Sequence, residues 1–293
     1  MNLARKIQYF MSMIKIAHMV FALPFALAAM CLAAMRRGGT PWPAWQEAAL
    51  ILLACYAART AAMTYNRIAD REIDAQNPRT KNRELVTGAL SLNFARMMLI
   101  VHVALFVLAA WGLNTLALAL SPVCLAVLLG YSHMKRFSWL SHAGLGLALG
   151  LAPVGAWIAI EGAAAFQRPE PWLLMLSVFC WVAGFDVIYA CQDYETDLRI
   201  GLRSIPARFG LAGAFRITHA LHFLSGAGFF VFWRVAGLGW LSLGGIILMC
   251  MLLAYENAII TPRDQSRLNT AFFTVNGVVS LMFFVCVLGD LLL

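Results

Sequence analysis

Nine apolar runs, each about as long as a membrane-crossing helix, divide this chain of 293 residues. They fall at roughly 14–34, 45–65, 94–112, 114–132, 140–160, 172–192, 212–233, 239–260 and 270–290, against the ~20 consecutive apolar residues a helix needs to cross a bilayer core. A lipid-embedded backbone must satisfy its own hydrogen bonds, so runs of this length predict α-helices. Hydrophobic residues make up 62% of the chain and charged residues 12%, about half the charge content of an ordinary soluble domain. The expected fold is therefore an all-α membrane protein of nine transmembrane helices, built as one domain over residues 1–293. Gly112-Leu113-Asn114 alone separates the third run from the fourth, which predicts a tight hairpin there.

The net charge of +8 would suggest a nucleic-acid partner in a soluble protein. Here the cations sit between the apolar runs, on one side of the membrane. With the N-terminus in the cytoplasm, the inner segments hold Arg5, Lys6, Lys15, Arg67, Arg71, Arg79, Lys81, Arg83 and Arg96. They also hold Lys135, Arg136, Arg199, Arg203, Arg208, Arg216, Arg263 and Arg267. The outer segments hold only Arg36, Arg37, Arg168 and Arg234. That asymmetry follows the positive-inside rule and predicts a multi-pass protein of the cell (inner) membrane, with its C-terminus outside and no nucleic-acid partner. Seven cysteines are scattered without C-x-x-C spacing, so neither a disulfide framework nor a zinc site is expected. The basic start could mimic a signal peptide, but the length of the first run favours a first membrane helix.

Two acidic clusters break the apolar pattern, both on the predicted cytoplasmic side. The first runs from Asn66 through Asp70 to Asp74, and the second from Asp186 through Tyr189 and Asp193 to Asp197. Residues four apart share a helix face, so Asn66, Asp70 and Asp74 line up, and so do Asp193 and Asp197. Stacked carboxylates repel. A divalent cation such as Mg²⁺, which favours oxygen ligands and is commonly held by one or two carboxylates plus phosphates, would compensate. The bland alternative for the first cluster is a solvated helix end with Arg67 and Arg71 as local partners. The loop Asn77-Pro78-Arg79-Thr80-Lys81-Asn82-Arg83-Glu84 adds cations that could bind lipid head groups.

Arg59, Asn66 and Asp70 have the same seven-then-four spacing as Asp186, Asp193 and Asp197. This echo suggests two four-helix units plus one further helix, with a site between the halves. It also places Asp186, about 10 Å below Asp193 along the helix, level with Arg59, where the two could pair and join the second span to the sixth. An ionisable residue inside a membrane helix is a functional candidate. Lys135, Arg136, Arg199 and Arg203, with Arg67, are candidate donors to a diphosphate, for which Arg offers bidentate geometry; each also serves as a topology-setting cation. Lys15 and His18, with Arg59, are candidates to reach an acceptor's polar group.

These residues resemble the UbiA superfamily of membrane prenyltransferases. Its N-x-x-x-D-x-x-x-D motif is matched by Asn66, Asp70 and Asp74, its D-x-x-Y-A-x-x-D-x-x-x-D motif by Asp186, Tyr189, Asp193 and Asp197, and its Tyr-x-x-x-Lys step by Tyr131 and Lys135. The resemblance implies nine helices around a central cavity with a polar cytoplasmic cap. It implies Mg²⁺ held by Asn66, Asp70, Asp74, Asp193 and Asp197, and a polyprenyl diphosphate whose leaving group is neutralised by metal and cations. The catalytic set would be Asp70, Asp186, Tyr189 and Asp193, with the prenyl tail in an apolar tunnel open to membrane lipid. Thr196 departs from the pattern, standing where the family often has a further acid. Met134-Lys135-Arg136 and Arg59-Thr60-Ala61-Ala62 are similar to 4-hydroxybenzoate polyprenyltransferases. Leu140-Ser141-His142, Ala152 to Trp157, Tyr189 to Glu195 and Ser204 to Gly210 are closer to a menaquinone branch acting on 1,4-dihydroxy-6-naphthoate, which is the favoured acceptor.

Two rivals come from other classes. A transporter would also suit nine helices, an internal repeat and intramembrane charge. A phosphotransferase acting on a CDP-alcohol would want a D-G-x-x-A-R run before its acids, and none is present.

Overall fold

The computed structural model describes residues 2–262, 264–265, 267–268 and 270–293; the cation at Arg263 lies outside them. Among these residues the regular secondary structure is all helical, without strands. The α-helices are α1 (Leu3–Ile14), α2 (Leu23–Gly38), α3 (Trp45–Ala69), α4 (Arg71–Gln76), α5 (Leu92–Leu113), α6 (Thr115–Met134), α7 (Ser141–Glu161), α8 (Glu170–Ala190), α9 (Tyr194–Ile200), α10 (Ile205–Ala236), α11 (Trp240–Ile259) and α12 (Asn276–Leu292).

Seven helical stretches among the described residues are long and apolar enough to cross a membrane, and the bent pair α1–α2 makes eight if it counts as one span. The expected first span is not a continuous helix. α1 ends at Ile14, Lys15 turns left-handed at φ 48°, a 3-10 turn covers Ile16–Phe21, and the two helices meet at 48°. Pro24 in the first turn of α2 has no N–H to continue an incoming helix and suits a restart. The expected seventh run lies within α10, which carries Arg216, His219, His222 and Arg234 and is not among the apolar seven. Gly210 (φ 68°, ψ 170°) breaks α10 near its start, a conformation that costs a residue with a Cβ dearly.

The hairpin between α5 and α6 turns on Asn114. Its side-chain oxygen accepts from the Ala117 amide, capping α6, and its Nδ2 donates to Ile158 O and Ala159 O on α7. α7 lies close against α8: a Cβ on Gly146 would sit 2.6 Å from the Phe179 carbonyl oxygen. The core is aromatic, with Phe25 in ring contact with Trp181, Phe229 and Phe283, and Phe229 with Phe283. Large apolar side chains such as Trp240, Phe223 and Trp45 are exposed, as a lipid-facing surface requires.

Both acidic motifs fall where a long helix breaks. α3 ends at Ala69 and α4 starts at Arg71, with Asp70 between them at φ −93°, ψ 5°. α8 ends at Ala190, a 3-10 turn follows, and α9 starts at Tyr194 after Asp193 at φ −98°, ψ 3°. Asp70 and Asp193 thus occupy the same kind of backbone break, and Asp74 and Asp197, both buried, follow each by one turn. The Asp70 amide still donates to Asn66 O (2.9 Å) and the Asp74 amide to Asp70 O (2.7 Å), so the three residues stay on one face across the break.

Candidate active site

A cavity of about 270 Å³ opens where α3 and α8 break, and Asn66, Asp70, Asp74, Asp186, Tyr189, Asp193 and Asp197 all line it. Most of the predicted site residues converge there, although they come from segments more than a hundred residues apart.

Three of the carboxylates, Asp70, Asp74 and Asp193, are held by cations. Asp70 is buried and accepts from Lys135 Nζ (2.5 Å), Arg136 Nη2 (3.2 Å) and Asn66 Nδ2 (3.0 Å). Arg83 donates to both oxygens of Asp74, at 2.6 and 2.7 Å. Arg79 grips Asp193 through Nε (2.9 Å) and Nη2 (2.5 Å), donates to the Tyr189 hydroxyl (3.0 Å), and lies 5.1 Å from the centre of that ring. Asn77 Nδ2 adds a third donor to Asp193 at 2.7 Å. Burial works against the charge of the Arg79 guanidinium, but the hydrogen bonds and charge of Asp193 outweigh it and hold its pKa above the usual value.

One short loop after α4 therefore serves both motifs, Arg83 on the first and Arg79 on the second. The sequence placed both arginines in a cationic loop but gave neither a place in the site. The signal was the run itself, Asn77 to Arg83, which follows the first motif directly.

Arg59 does not pair with Asp186. Asp186 Oδ2 instead lies 2.7 Å from His142 Nδ1, and among the described residues Arg59 makes no hydrogen bond, with its buried Nε unpartnered. The helix breaks give the reason. They make Asp70 the counterpart of Asp193, not of Asp197, so Arg59 and Asp186 differ by four residues in register, about 6 Å along a helix. Arg67 Nε is likewise buried and unpartnered. Both arginines line the cavity, and so does His18.

Four predicted residues do not line the cavity. Arg199 Nη2 donates to Gln76 O at 2.6 Å and Arg203 Nη1 to Phe137 O at 2.7 Å, so each ties connecting segments together. Arg136 touches Asp70 but spends its other bonds on Ser132 O and Ala69 O. Lys15 is exposed at the left-handed turn, outside the cavity lining.

A second, apolar cavity of about 180 Å³ continues from the first, sharing Arg59, Tyr131, Leu145 and Leu149 with it and running past Ala54, Phe106 and Leu120. A polar chamber thus leads past Arg59 into an apolar channel.

The donor set suits a hard cation. No three His, Cys, Asp or Glu residues among those described come close enough to cage a metal on their own. The two motifs offer carboxylate oxygens facing one chamber, which fits Mg²⁺ held partly by protein and partly by a substrate's phosphates.

A family model described as the UbiA prenyltransferase family matches residues 22–286. The 4-hydroxybenzoate octaprenyltransferase of Enterobacter sp. (strain 638) is 32% identical over 225 residues, covering 77% of this chain and 76% of that protein. Among solved structures, the apo UbiA homologue from Aeropyrum pernix K1 aligns over 93% of this chain and 98% of its own, with 35% identity and a TM-score of 0.84. The UbiA homologue from Archaeoglobus fulgidus bound to DMAPP and Mg²⁺ shares the fold at a TM-score of 0.68 and 22% identity, over 97% of this chain and 99% of its own.

Proposed function

The chain belongs to the UbiA prenyltransferase family, and from that we propose that it moves a polyprenyl group from its diphosphate to the ring of an aromatic carboxylate within the membrane. The observation that carries this reading is the continuous path from the acid- and cation-lined chamber, past unpartnered Arg59, into the apolar channel.

In this reading the diphosphate lies between the two motifs. Asp70, Asp74, Asp193 and Asp197, with Asn66, hold Mg²⁺ against it; the metal supplies positive charge that stabilises the departing diphosphate. Lys135, Arg79 and Arg83 share that charge, moving from carboxylate partners to phosphate oxygens, and Arg67, whose Nε has no partner, joins them. Tyr189, whose hydroxyl accepts from Arg79, keeps that guanidinium at the chamber wall. The prenyl tail occupies the apolar channel, which excludes water from the allylic carbon. Arg59, at the junction, takes the acceptor's carboxylate, with His18 beside it.

The acceptor we propose is 4-hydroxybenzoate. The runs at Leu140–His142 and Ala152–Trp157 favoured 1,4-dihydroxy-6-naphthoate, but relatives alignable over three quarters of the chain are named for 4-hydroxybenzoate, which supports that acceptor instead. Nine spans, with α10 crossing despite its charges and the site facing the cytoplasm, remain our reading of the topology; the cation asymmetry supports it.

The test offers purified protein an octaprenyl diphosphate with each acceptor in turn, with and without a chelator. Prenylated 4-hydroxybenzoate, lost on chelation, is the expected product. Turnover of the naphthoate alone would refute the acceptor, and no prenylated product from either would refute the reaction.

A further inference from the structure

His142, at the start of α7, is held at both ring nitrogens. Its buried ring places Nδ1 2.7 Å from Asp186 Oδ2 and Nε2 3.4 Å from the backbone nitrogen of Ile205. A backbone N–H can only donate, so Nε2 carries the lone pair and the ring proton sits on Nδ1, donated to Asp186. Ile205 is the first residue of α10, whose cap is Ser204. Its amide is one of the donors that a helix start leaves without an intrahelical acceptor. The end of α10 therefore sets one neutral tautomer of His142.

Asp186 differs from the acids that face cations. Asp70, Asp74 and Asp193 each pair with Lys or Arg, whereas among the described residues Asp186 pairs with His142 and touches no Lys or Arg. It lines the same chamber as Arg59 and Tyr131, on α8 before the break that carries Asp193. A carboxylate oriented by a neutral donor and left without a cation is arranged to accept a proton.

Resting on the prenyl-transfer reading above, we propose that His142 is the positioning residue for Asp186, and that Asp186 accepts the hydroxyl proton of the aromatic acceptor. The transfer forms a bond between the allylic carbon and a ring carbon. It breaks the allylic carbon–oxygen bond, whose electron pair leaves with the diphosphate. A phenolate ring is the better nucleophile, so Asp186 takes the hydroxyl proton as the ring carbon attacks. When the ring regains aromaticity, Asp186 returns that proton to the oxygen and the ring C–H proton passes to the departing diphosphate. One proton leaves the ring per transfer, and His142 keeps its own throughout.

The test compares His142→Leu with His142→Asn, whose amide can donate from near the Nδ1 position. Two readouts are taken on the full-length protein with Mg²⁺: binding of an unreactive octaprenyl thiodiphosphate, and kcat with 4-hydroxybenzoate and with its 3-fluoro analogue, whose hydroxyl is more acidic. His142→Leu should bind the thiodiphosphate within about twofold of wild type and lose roughly 10- to 100-fold in kcat, part of what a general base typically contributes. That deficit, relative to wild type on the same acceptor, should narrow severalfold with the fluorinated acceptor, and His142→Asn should recover most of the rate. An equal deficit on both acceptors, or thiodiphosphate binding that falls in step with kcat, overturns the proposal and leaves His142 a packing residue. A wild-type protein that binds the thiodiphosphate but prenylates neither acceptor overturns the proposed reaction, and this proposal with it.

Discussion

Replacing Arg59 with methionine should make the ligand-free protein more stable and the enzyme worse. Arg59 lies on the boundary between the polar chamber and the apolar channel, its Nε buried without a partner. An unpartnered buried polar group costs about 1–3 kcal/mol, and methionine, with a similar unbranched stem, fills the same space without it. The melting temperature in detergent should therefore hold or rise. With an acceptor carboxylate bound, Arg59 gains charge-assisted hydrogen bonds, and losing them costs roughly 1.5–3 kcal/mol, or about 10- to 150-fold in the acceptor's KM. The KM for the polyprenyl diphosphate should move little, since its leaving group is held by the two motifs. The assay pairs a thermal melt with steady-state kinetics in which each substrate is varied separately. Had Arg59 been bonded to Asp186, its removal would leave a buried carboxylate stranded and destabilise the protein by about 3–5 kcal/mol. A sharp fall in melting temperature, or an unchanged acceptor KM, would refute this account of Arg59.

Asp193→Asn should reduce turnover by at least 100-fold while the protein still inserts and melts as one species, checked by product formation against size-exclusion and thermal profiles. It should also free Arg79, whose ion pair is then gone, so proteolysis of the loop after α4 should speed up in the absence of substrate. Removing the divalent cation with a chelator should abolish turnover, and adding Mg²⁺ back should restore it; activity that survives chelation would sink the metal reading. Asn114→Ala removes the cap of α6 and two bonds to α7 and should cost about 2–3 kcal/mol, at roughly 1 kcal/mol per bond, lowering the melting temperature without changing either KM.

Composition and spacing revealed the helices and the acids for one reason: in a chain this apolar, every departure from apolarity stands out. Asp70, Asp74, Asp193 and Asp197 are visible because carboxylates are rare beside the long runs, and all four face one chamber. Hydropathy was blind to breaks within apolar stretches. The turn at Lys15 to Phe21 and the kink at Gly210 depend on single backbone angles, and a window average smooths over both. The same blindness misplaced Arg59. Counting seven then four along an unbroken helix set it level with Asp186, but the real breaks at Asp70 and Asp193 shift the register by one turn. Arg79, Arg83 and His142 could not be assigned partners because each meets an acid from a different part of the chain, or across a loop reversal, that no local pattern encodes.

On the prenyl-transfer reading proposed above, the pairing scheme constrains how the site would work. In the ligand-free protein Asp70, Asp74 and Asp193 each hold a cation from Lys135, Arg83 or Arg79, while Arg59 and Arg67 have none at Nε. An incoming diphosphate alone would meet acids already adjoining its path and be repelled by them. A metal cation alone would meet carboxylates already neutralised by arginine and lysine. Arriving together, they allow an exchange in which the carboxylates turn to the metal and the guanidiniums to the phosphate, so that no charge is left without a partner. Each ligand should then strengthen the other's binding, and by linkage the factor must be the same in both directions. The loop carrying Arg79 and Arg83 would change partners in that exchange, and it spans both motifs, so the binding of the leaving group is coupled to the geometry of the whole chamber. On the proposal above, Asp186 would stand outside the exchange because His142 is its partner, and that would separate the proton chemistry at the ring from the charge chemistry at the diphosphate.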